Sequence, residues 1–292
     1  MLSNFIGKTP MIQISKNLWA KAELFNPTGS IKDRPAFNIL NTAKKQGLLK
    51  KGDTICEATS GNMGVSFAWL AAEMGYHCVI VMPNNMSIER KKTLEFYGAE
   101  LIEVEAGDFE HAIQLRDDLC KEKGWFNCNQ FHNELNIKAH YHTTGMEILE
   151  WWHENKELGH VEAFVTGTGT GGTLMGCRKR LKTLFKDIKT IAVEPSESPV
   201  MSGGEPGLHG IQGIGDGSKF LVDLDAVDEI ITISTEEARA RSKRLALEQG
   251  LFVGISAGSN ILAAERLIEQ HKIEGPVVTF LCDRGDRYFS CL

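Results

Sequence analysis

The chain of 292 residues lacks any long uninterrupted hydrophobic run, although 42% of its residues are hydrophobic. A helix that crosses a bilayer needs about 20 such residues in succession, so we expect no membrane partner. No apolar run preceded by basic residues occurs near Met1, where a secretory leader would lie. These absences predict a cytoplasmic protein.

Paired cysteines and excess positive charge are also missing. The seven cysteines form no C-x-x-C motif, and His140 and His142 have no acidic or cysteine neighbour at metal-ligand spacing. We therefore predict neither a disulfide framework nor a metal site. The 32 basic residues against 38 acidic ones leave a net charge of −6, which gives no global attraction for a phosphodiester backbone. A nucleic-acid partner is not expected.

Short β-type runs alternate with longer helix-type runs through most of the chain. The expected strands are 54–58, 78–82, 100–104, 163–165, 190–193 and 277–281, and the expected helices are 65–74, 87–97, 174–185, 236–249 and 260–270. Strands separated by helices of this length pair in parallel through crossovers. The pattern predicts an α/β protein of two domains, each an open, mostly parallel twisted sheet with helices on both faces. We expect a smaller domain at 31–134 and a larger one at 135–292, with 10–30 adding to the larger sheet.

A glycine-rich segment from Gly167 to Thr173 follows a predicted strand and opens a predicted helix. Its amides and the helix dipole suit a phosphate group. The segment also satisfies G-x-G-x-x-G, and Glu194 ends the next strand, where a ribose-binding acid would lie. A nucleotide-dependent dehydrogenase is therefore one alternative for the function.

Three further turns place reactive or polar residues at helix starts. Lys32, in NPTGSIKDR, precedes a helix expected from about Asp33, and a desolvated lysine there could form a Schiff base. The segment EATSGNMG joins a strand to a helix, where free amides favour a carboxylate. The segment GISAGSN offers Ser256 as a neutral hydroxyl partner. Taken singly, each of these residues is better explained as a surface lysine or a helix N-cap.

Taken together and in this order, these four segments resemble the cysteine synthase family of pyridoxal-phosphate enzymes, which includes O-acetylserine sulfhydrylases and cystathionine β-synthases. Further similar segments are PNNMSIERKKTLEFYGAEL, NQFHNELNIKAHYHTTGMEI, IQGIG and CDRGDRYFS. The resemblance implies the two-domain α/β fold called fold type II, with pyridoxal 5'-phosphate bound between the domains. It also implies a homodimer and allows a serine acetyltransferase as a partner.

The resemblance implies a role for each residue that matches the family's motifs. Lys32 would hold the cofactor covalently and act as the proton-transfer base, Asn62 would bind the cofactor's ring hydroxyl, and Ser256 would face its pyridine nitrogen. The residues implied to bind the phosphate are Gly169, Thr170, Gly171, Gly172 and Thr173. The residues implied to bind the substrate carboxylate are Thr59, Ser60 and Gln130.

The implied reaction is a β-replacement that makes L-cysteine from O-acetyl-L-serine and sulfide through an aminoacrylate intermediate. Two residues depart from the family pattern and are candidate substrate contacts. Met63 stands where a threonine is usual, and Asp216 adds a carboxylate near the expected mouth of the site. They leave open another activated serine, or a thiol amino acid as the nucleophile, as in a cystathionine- or lanthionine-type synthase. An inactive binding homologue is the alternative outside enzymology.

Overall fold

A computed structural model describes residues 1–59, 61–86 and 88–290. The chain divides into two compact units. Unit 1 comprises Met1–Ile6 and Lys32–Asn136, and unit 2 comprises Gly7–Ile31 and the chain from Ile137 onward. The carboxylate-binding role expected of Ser60 and the helix start expected at Ser87 lie outside the described residues.

The elements alternate between strand and helix through most of the chain. The strands are β1 (Met11–Ser15), β2 (Leu18–Ala22), β3 (Thr54–Ala58), β4 (His77–Pro83), β5 (Glu100–Val104), β6 (Phe126–Asn127), β7 (Ala163–Gly167), β8 (Lys189–Pro195), β9 (Glu229–Ile233) and β10 (Val277–Leu281). The helices are α1 (Asp33–Lys45), α2 (Asn62–Met74), α3 (Ile88–Phe96), α4 (Phe109–Lys123), α5 (Glu134–His142), α6 (Thr144–Glu154), α7 (Gly172–Leu181), α8 (Thr235–Gln249) and α9 (Ile255–His271).

Unit 1 contains a parallel sheet with the strand order β5-β4-β3-β6. Successive residues of a strand face opposite sides of the sheet. Ile80 packs with α1 and α2 in one hydrophobic cluster, whereas its neighbours Val79 and Val81 pack with α4 in another. Helices therefore cover both faces, which explains why the interior strand β4 is apolar and buried throughout 78–82.

Unit 2 contains a larger sheet with the order β1-β2-β10-β7-β8-β9. Its strands pair in parallel except β1, which is antiparallel to β2. The same alternation separates two hydrophobic clusters. Ala163 and Val165 pack with α8 and α9, whereas Phe164 packs with α6 and α7. The predicted fold class, parallel-dominated sheets with helices on both faces, is confirmed.

Three predicted helices begin later in the sequence prediction than in the structure. Helix α2 begins at Asn62, α7 at Gly172 and α9 at Ile255. Their first turns consist largely of glycine, serine, threonine and asparagine, so the apolar periodicity becomes visible only in the second turn. As a result, several residues expected in loops belong to helix N-termini. Helix α7 also ends at Leu181, before the expected 185.

In the part of the chain that the structure describes, none of the helices combines the length and apolarity that a bilayer crossing requires.

Candidate active site

Lys32 immediately precedes helix α1 in unit 1, and its carbonyl accepts the first hydrogen bond of that helix, from the amide of Ala36. The next residue, Asp33, is fully buried and accepts a 2.6 Å hydrogen bond from the hydroxyl of Ser66. That hydroxyl also donates to the carbonyl of Asn62 at 3.0 Å. The start of α1 is thus joined to the first turn of α2, which brings Lys32 and Asn62 to neighbouring helix N-termini.

Thr59 and Gln130 lie at the carboxyl ends of the adjacent strands β3 and β6. Both are buried, with 5% and 3% of their surface exposed. The side-chain amide of Gln130 donates to the carbonyl of Ala58 at 3.2 Å, and the amide of Gly61 donates to the Thr59 hydroxyl at 3.2 Å. The structure therefore brings together two of the residues expected to bind the substrate carboxylate.

Gly64 determines how closely α2 approaches Thr59. A Cβ atom at position 64 would lie 2.9 Å from the Thr59 Cγ2 atom. Met63, the preceding residue, is 1% exposed and packs in the core of unit 1. Its thioether is enclosed by hydrophobic side chains, so its expected influence on the substrate remains a prediction.

The glycine-rich segment in unit 2 leads from β7 into α7. Gly171 has φ +87°, a left-handed conformation that glycine adopts without strain, and it caps the helix. The carbonyls of Thr168 and Thr170 accept hydrogen bonds from the amides of Gly215 and Leu221 at 3.0 and 3.1 Å. The following loop therefore holds the segment in a fixed shape. Among the described residues, no partner is found for the buried amides of Gly169 and Gly171.

Ser256 is the second residue of α9 and is only 4% exposed. No other described residue hydrogen-bonds its hydroxyl. One turn further on, Asn260 accepts a hydrogen bond from the amide of Gly167 at 2.6 Å and donates to the carbonyl of Phe280 at 3.1 Å. Asn260 therefore links the helix that carries Ser256 to the start of the glycine-rich segment.

Asp216 lies directly beside the glycine-rich segment. A Cβ atom added to Gly169 would lie 2.9 Å from Asp216 Oδ2 and 2.8 Å from the carbonyl oxygen of Gly213. Only glycine fits at position 169 without displacing this loop. The structure thus places the Asp216 carboxylate at the predicted phosphate loop, within unit 2.

These features fit pyridoxal phosphate. Free buried amides at a helix N-terminus suit the phosphate, and a buried neutral hydroxyl suits the pyridine nitrogen. Lys32 and Asn62 are the residues of unit 1 that would hold the aldehyde carbon and the ring hydroxyl.

Glu194 has a structural role that conflicts with the dehydrogenase alternative. Its carboxylate is 2% exposed and accepts hydrogen bonds from the amides of Met201 and Ser202 at 2.7 and 3.0 Å, and from the Ser202 hydroxyl. Both oxygens are occupied in fixing the loop after β8. A ribose would have to displace these partners.

Fold and donor groups together define a pyridoxal-phosphate enzyme of fold type II. The family model described as pyridoxal-phosphate dependent enzyme matches residues 2–283, and the chain belongs to this family. It is 39% identical to a cysteine synthase of Staphylococcus aureus over 99% of this chain and 95% of that protein. It is also 39% identical to an O-ureido-L-serine synthase of Streptomyces lavendulae, over 98% of this chain and 89% of that protein.

The solved structures it matches include a hydrogen sulfide-producing enzyme from Fusobacterium nucleatum, with a TM-score of 0.93 and 37% identity. The match covers 99% of this chain and 90% of that one. The resemblance to cysteine synthases is confirmed, as are the enzyme class and the cofactor. The nucleotide-dependent dehydrogenase alternative is wrong, because the family uses pyridoxal phosphate.

The sequence prediction missed several residues that position the site. Asp33 and Asn260 lie within the quoted motifs, one and four residues from Lys32 and Ser256. The available signal was the spacing of Asn260, because residues four apart lie on the same face of a helix. Asp33, directly after Lys32, had no such signal. Arg116, in α4, lies in a helix that was not predicted.

Proposed function

We propose that this enzyme catalyses a β-replacement that makes L-cysteine from O-acetyl-L-serine and sulfide. The observation that carries the proposal is the buried Ser256 hydroxyl at the start of α9. A serine that faces the pyridine nitrogen leaves that nitrogen largely unprotonated, which favours β-elimination over chemistry that needs a full carbanion sink. When bound, pyridoxal phosphate supplies the electron withdrawal that makes the Cα proton of an amino acid acidic.

The proposed roles rest on the resemblance to the family, and the position of each residue within its unit supports them. The Lys32 amine holds the cofactor and, once displaced by the substrate amine, takes the Cα proton on its Nζ atom. Loss of acetate from Cβ then breaks the C–O bond, sulfide forms the new C–S bond at the same carbon, and Nζ of Lys32 returns the proton to Cα. Thr59 and Gln130 orient the substrate carboxylate. The amides of 169–173 anchor the phosphate.

The amine of residue 32 is tested first by chemical trapping. Borohydride reduction of the holoenzyme followed by peptide mapping should place the cofactor on Lys32. A label on another side chain, or on none, would remove the basis of the proposal. Incubation with O-acetylserine and sulfide, with products identified by mass, should then yield cysteine.

A second candidate function is favoured by Asp216. A carboxylate near the substrate would disfavour an anionic leaving group on Cβ and attract the amine of a second amino acid. The enzyme would then use a thiol amino acid as its nucleophile. With cysteine as both substrates, the Cβ–S bond of the first breaks, and the thiol sulfur of the second forms a new bond to that Cβ and gives up its proton to the departing sulfide. Lanthionine and hydrogen sulfide result. The similarity to a hydrogen sulfide-producing enzyme also supports this reaction.

The two candidates are separated by a competition experiment. The holoenzyme is given O-acetylserine together with sulfide, cysteine and homocysteine, and the products are quantified by mass. Predominant cysteine supports the first candidate, and predominant thioether supports the second. Asp216→Asn should reduce thioether formation more than cysteine formation if the carboxylate binds the second amine.

The partner predictions also remain proposals, based on the resemblance alone. Sedimentation of the holoenzyme tests the homodimer, and co-sedimentation with a serine acetyltransferase tests that complex.

A further inference from the structure

A fully buried ion pair lies beneath the loops that carry Thr59 and Gln130. Glu57, in strand β3, and Arg116, in helix α4, are each 1% exposed, and their Oε1 and Nη1 atoms are 2.8 Å apart. Neither belongs to the residues expected to touch cofactor or substrate.

The Glu57 carboxylate accepts hydrogen bonds from the loops that carry Thr59 and Gln130. Its Oε1 atom accepts from the amide of Ala58 at 2.9 Å, and its Oε2 atom accepts from the amide of Gln130 at 2.9 Å. Ala58 is the residue before Thr59. One carboxylate therefore fixes the backbone at the ends of two neighbouring strands.

Arg116 extends the connection to strand β6. Its Nε atom donates to Asp117 Oδ1 at 2.9 Å, and the same oxygen accepts from the side-chain amide of Asn127 at 2.7 Å. Asn127 ends β6, three residues before Gln130. The pair thus links β3, α4 and β6 into one hydrogen-bonded network.

Stability alone does not explain a charged pair at this depth. Burial raises the pKa of the Glu57 carboxyl, and the Arg116 guanidinium opposes that shift. Replacing such pairs by apolar residues of similar volume is often neutral or stabilising in other proteins. What an apolar pair could not supply is a fixed acceptor for the amides of Ala58 and Gln130.

We infer that Glu57, held by Arg116, is a positioning residue that sets the geometry of the carboxylate-binding loops at Thr59 and Gln130. This inference rests on the proposed role of those two residues in binding the substrate carboxylate. Glu57 itself does not contact the reacting atoms.

The test compares Glu57→Gln with the wild-type holoenzyme in two assays. The KM for O-acetylserine should rise about ten- to hundred-fold, the loss typical of one charge-assisted hydrogen bond. The dissociation constant for L-cysteine, titrated through the cofactor's visible absorbance, should rise by a similar factor. Cofactor content should be unchanged. A merely structural role would lower the active fraction, and therefore the apparent kcat, but would leave KM unchanged.

Glu265→Gln is the matched control in unit 2. It removes the carboxylate from the Arg241–Glu265 pair, whose Nη2 and Oε1 atoms are 2.6 Å apart with Arg241 buried. Its KM and its L-cysteine affinity should match those of the wild type. The inference would be overturned if KM and the L-cysteine dissociation constant changed equally in Glu57→Gln and Glu265→Gln. It would also be overturned if Glu57→Gln folded and kept the wild-type values of both constants.

Glu57→Asp keeps the charge but shortens the side chain by one methylene group. It should fold and show the same direction of change in KM, even if Glu57→Gln does not fold. If neither variant folds, the Glu57 carboxylate is required for folding, and the inference is overturned. A wild-type enzyme that binds L-cysteine but does not convert O-acetylserine would contradict the proposed function, while the L-cysteine titration still tests Glu57.

Discussion

The side-chain oxygen of Asn260 accepts a 2.6 Å hydrogen bond from the backbone amide of Gly167, at the point where strand β7 enters the glycine-rich segment. The amide group of the same side chain donates to Phe280 O at 3.1 Å and lies 3.4 Å from Cys282 Sγ. Asn260 is fully buried. One residue therefore holds together helix α9 and the ends of strands β7 and β10.

Asn260→Ala should weaken cofactor binding and destabilise the apoprotein by about 2 kcal/mol, because buried donors and acceptors lose their partners. Cofactor dissociation measured by dialysis and urea unfolding of the apoprotein check the two effects. The control is Asn17→Ala, which removes a 3.0 Å hydrogen bond to Ile273 O near the opposite end of β10. It should lower stability without changing cofactor affinity. Equal cofactor affinity in Asn260→Ala and the wild type would contradict this role.

Lys32→Ala should fold normally and show no β-replacement, because no side-chain hydrogen bond from residue 32 caps helix α1. The apoprotein should therefore keep the helical content of the wild type. Circular dichroism and the product assay measure the two properties. Lys44→Ala, at an exposed position in the last turn of the same helix, is the control and should retain activity. Residual turnover in Lys32→Ala near the Lys44→Ala level would show that another base acts.

Met63→Thr should tighten the binding of O-acetylserine if a threonine hydroxyl at this position reaches the substrate carboxylate. The same change removes a 1% exposed thioether from the core, at a cost of about 2–4 kcal/mol in unfolding free energy. Met74→Thr, in the same helix and cluster, should lower stability without changing the KM. An unchanged or raised KM in Met63→Thr would show that side chain 63 acts only in the core.

Short strands bounded by turn residues were the most predictable elements. The ranges 54–58, 100–104 and 277–281 agree with β3, β5 and β10 to the residue. Their apolar runs end at residues that punctuate turns, so both the pattern and its limits are visible in the sequence. Helices α2 and α8 were predicted for a similar reason, since glycines 75 and 250 end them in the left-handed conformation.

Helix α4, which was not predicted, carries a weak pattern. Helix α4 buries only Ala112, Arg116 and Cys120, and one of these is charged. These three residues are spaced four apart and form the only buried stripe of the helix. Sequence reasoning assigns the charged one, Arg116, to the surface. Arg116 is buried because Glu57 lies opposite it, a long-range pairing that periodicity does not reveal. The site was recognised through its motifs, whereas the groups that position it depend on such tertiary contacts.

The pH dependence of stability should report the capping box of helix α8. The carboxylate of Glu237 accepts from the amide and the hydroxyl of Ser234 at 3.0 and 2.7 Å and pairs with Arg266. These hydrogen bonds and the nearby guanidinium lower the pKa of Glu237 from 4.5 to about 2. A folded-state pKa below the unfolded value means that the carboxylate stabilises the fold above pH 4.5. This contribution is lost as the pH falls from about 4.5 towards 2.

Glu237→Gln should therefore be less stable than the wild type at neutral pH, by about 1 kcal/mol given the value of a helix N-cap and the exposure of the pair. The gap should narrow as the pH falls below about 4.5. Urea unfolding from neutral pH to about pH 3 measures it. Glu236→Gln changes an exposed neighbour in the same turn and is the control. A stability difference between the two proteins that stays constant down to pH 3 would contradict the capping role. The difference comes from the ionised Glu237 carboxylate, and it should therefore shrink as that carboxylate is protonated.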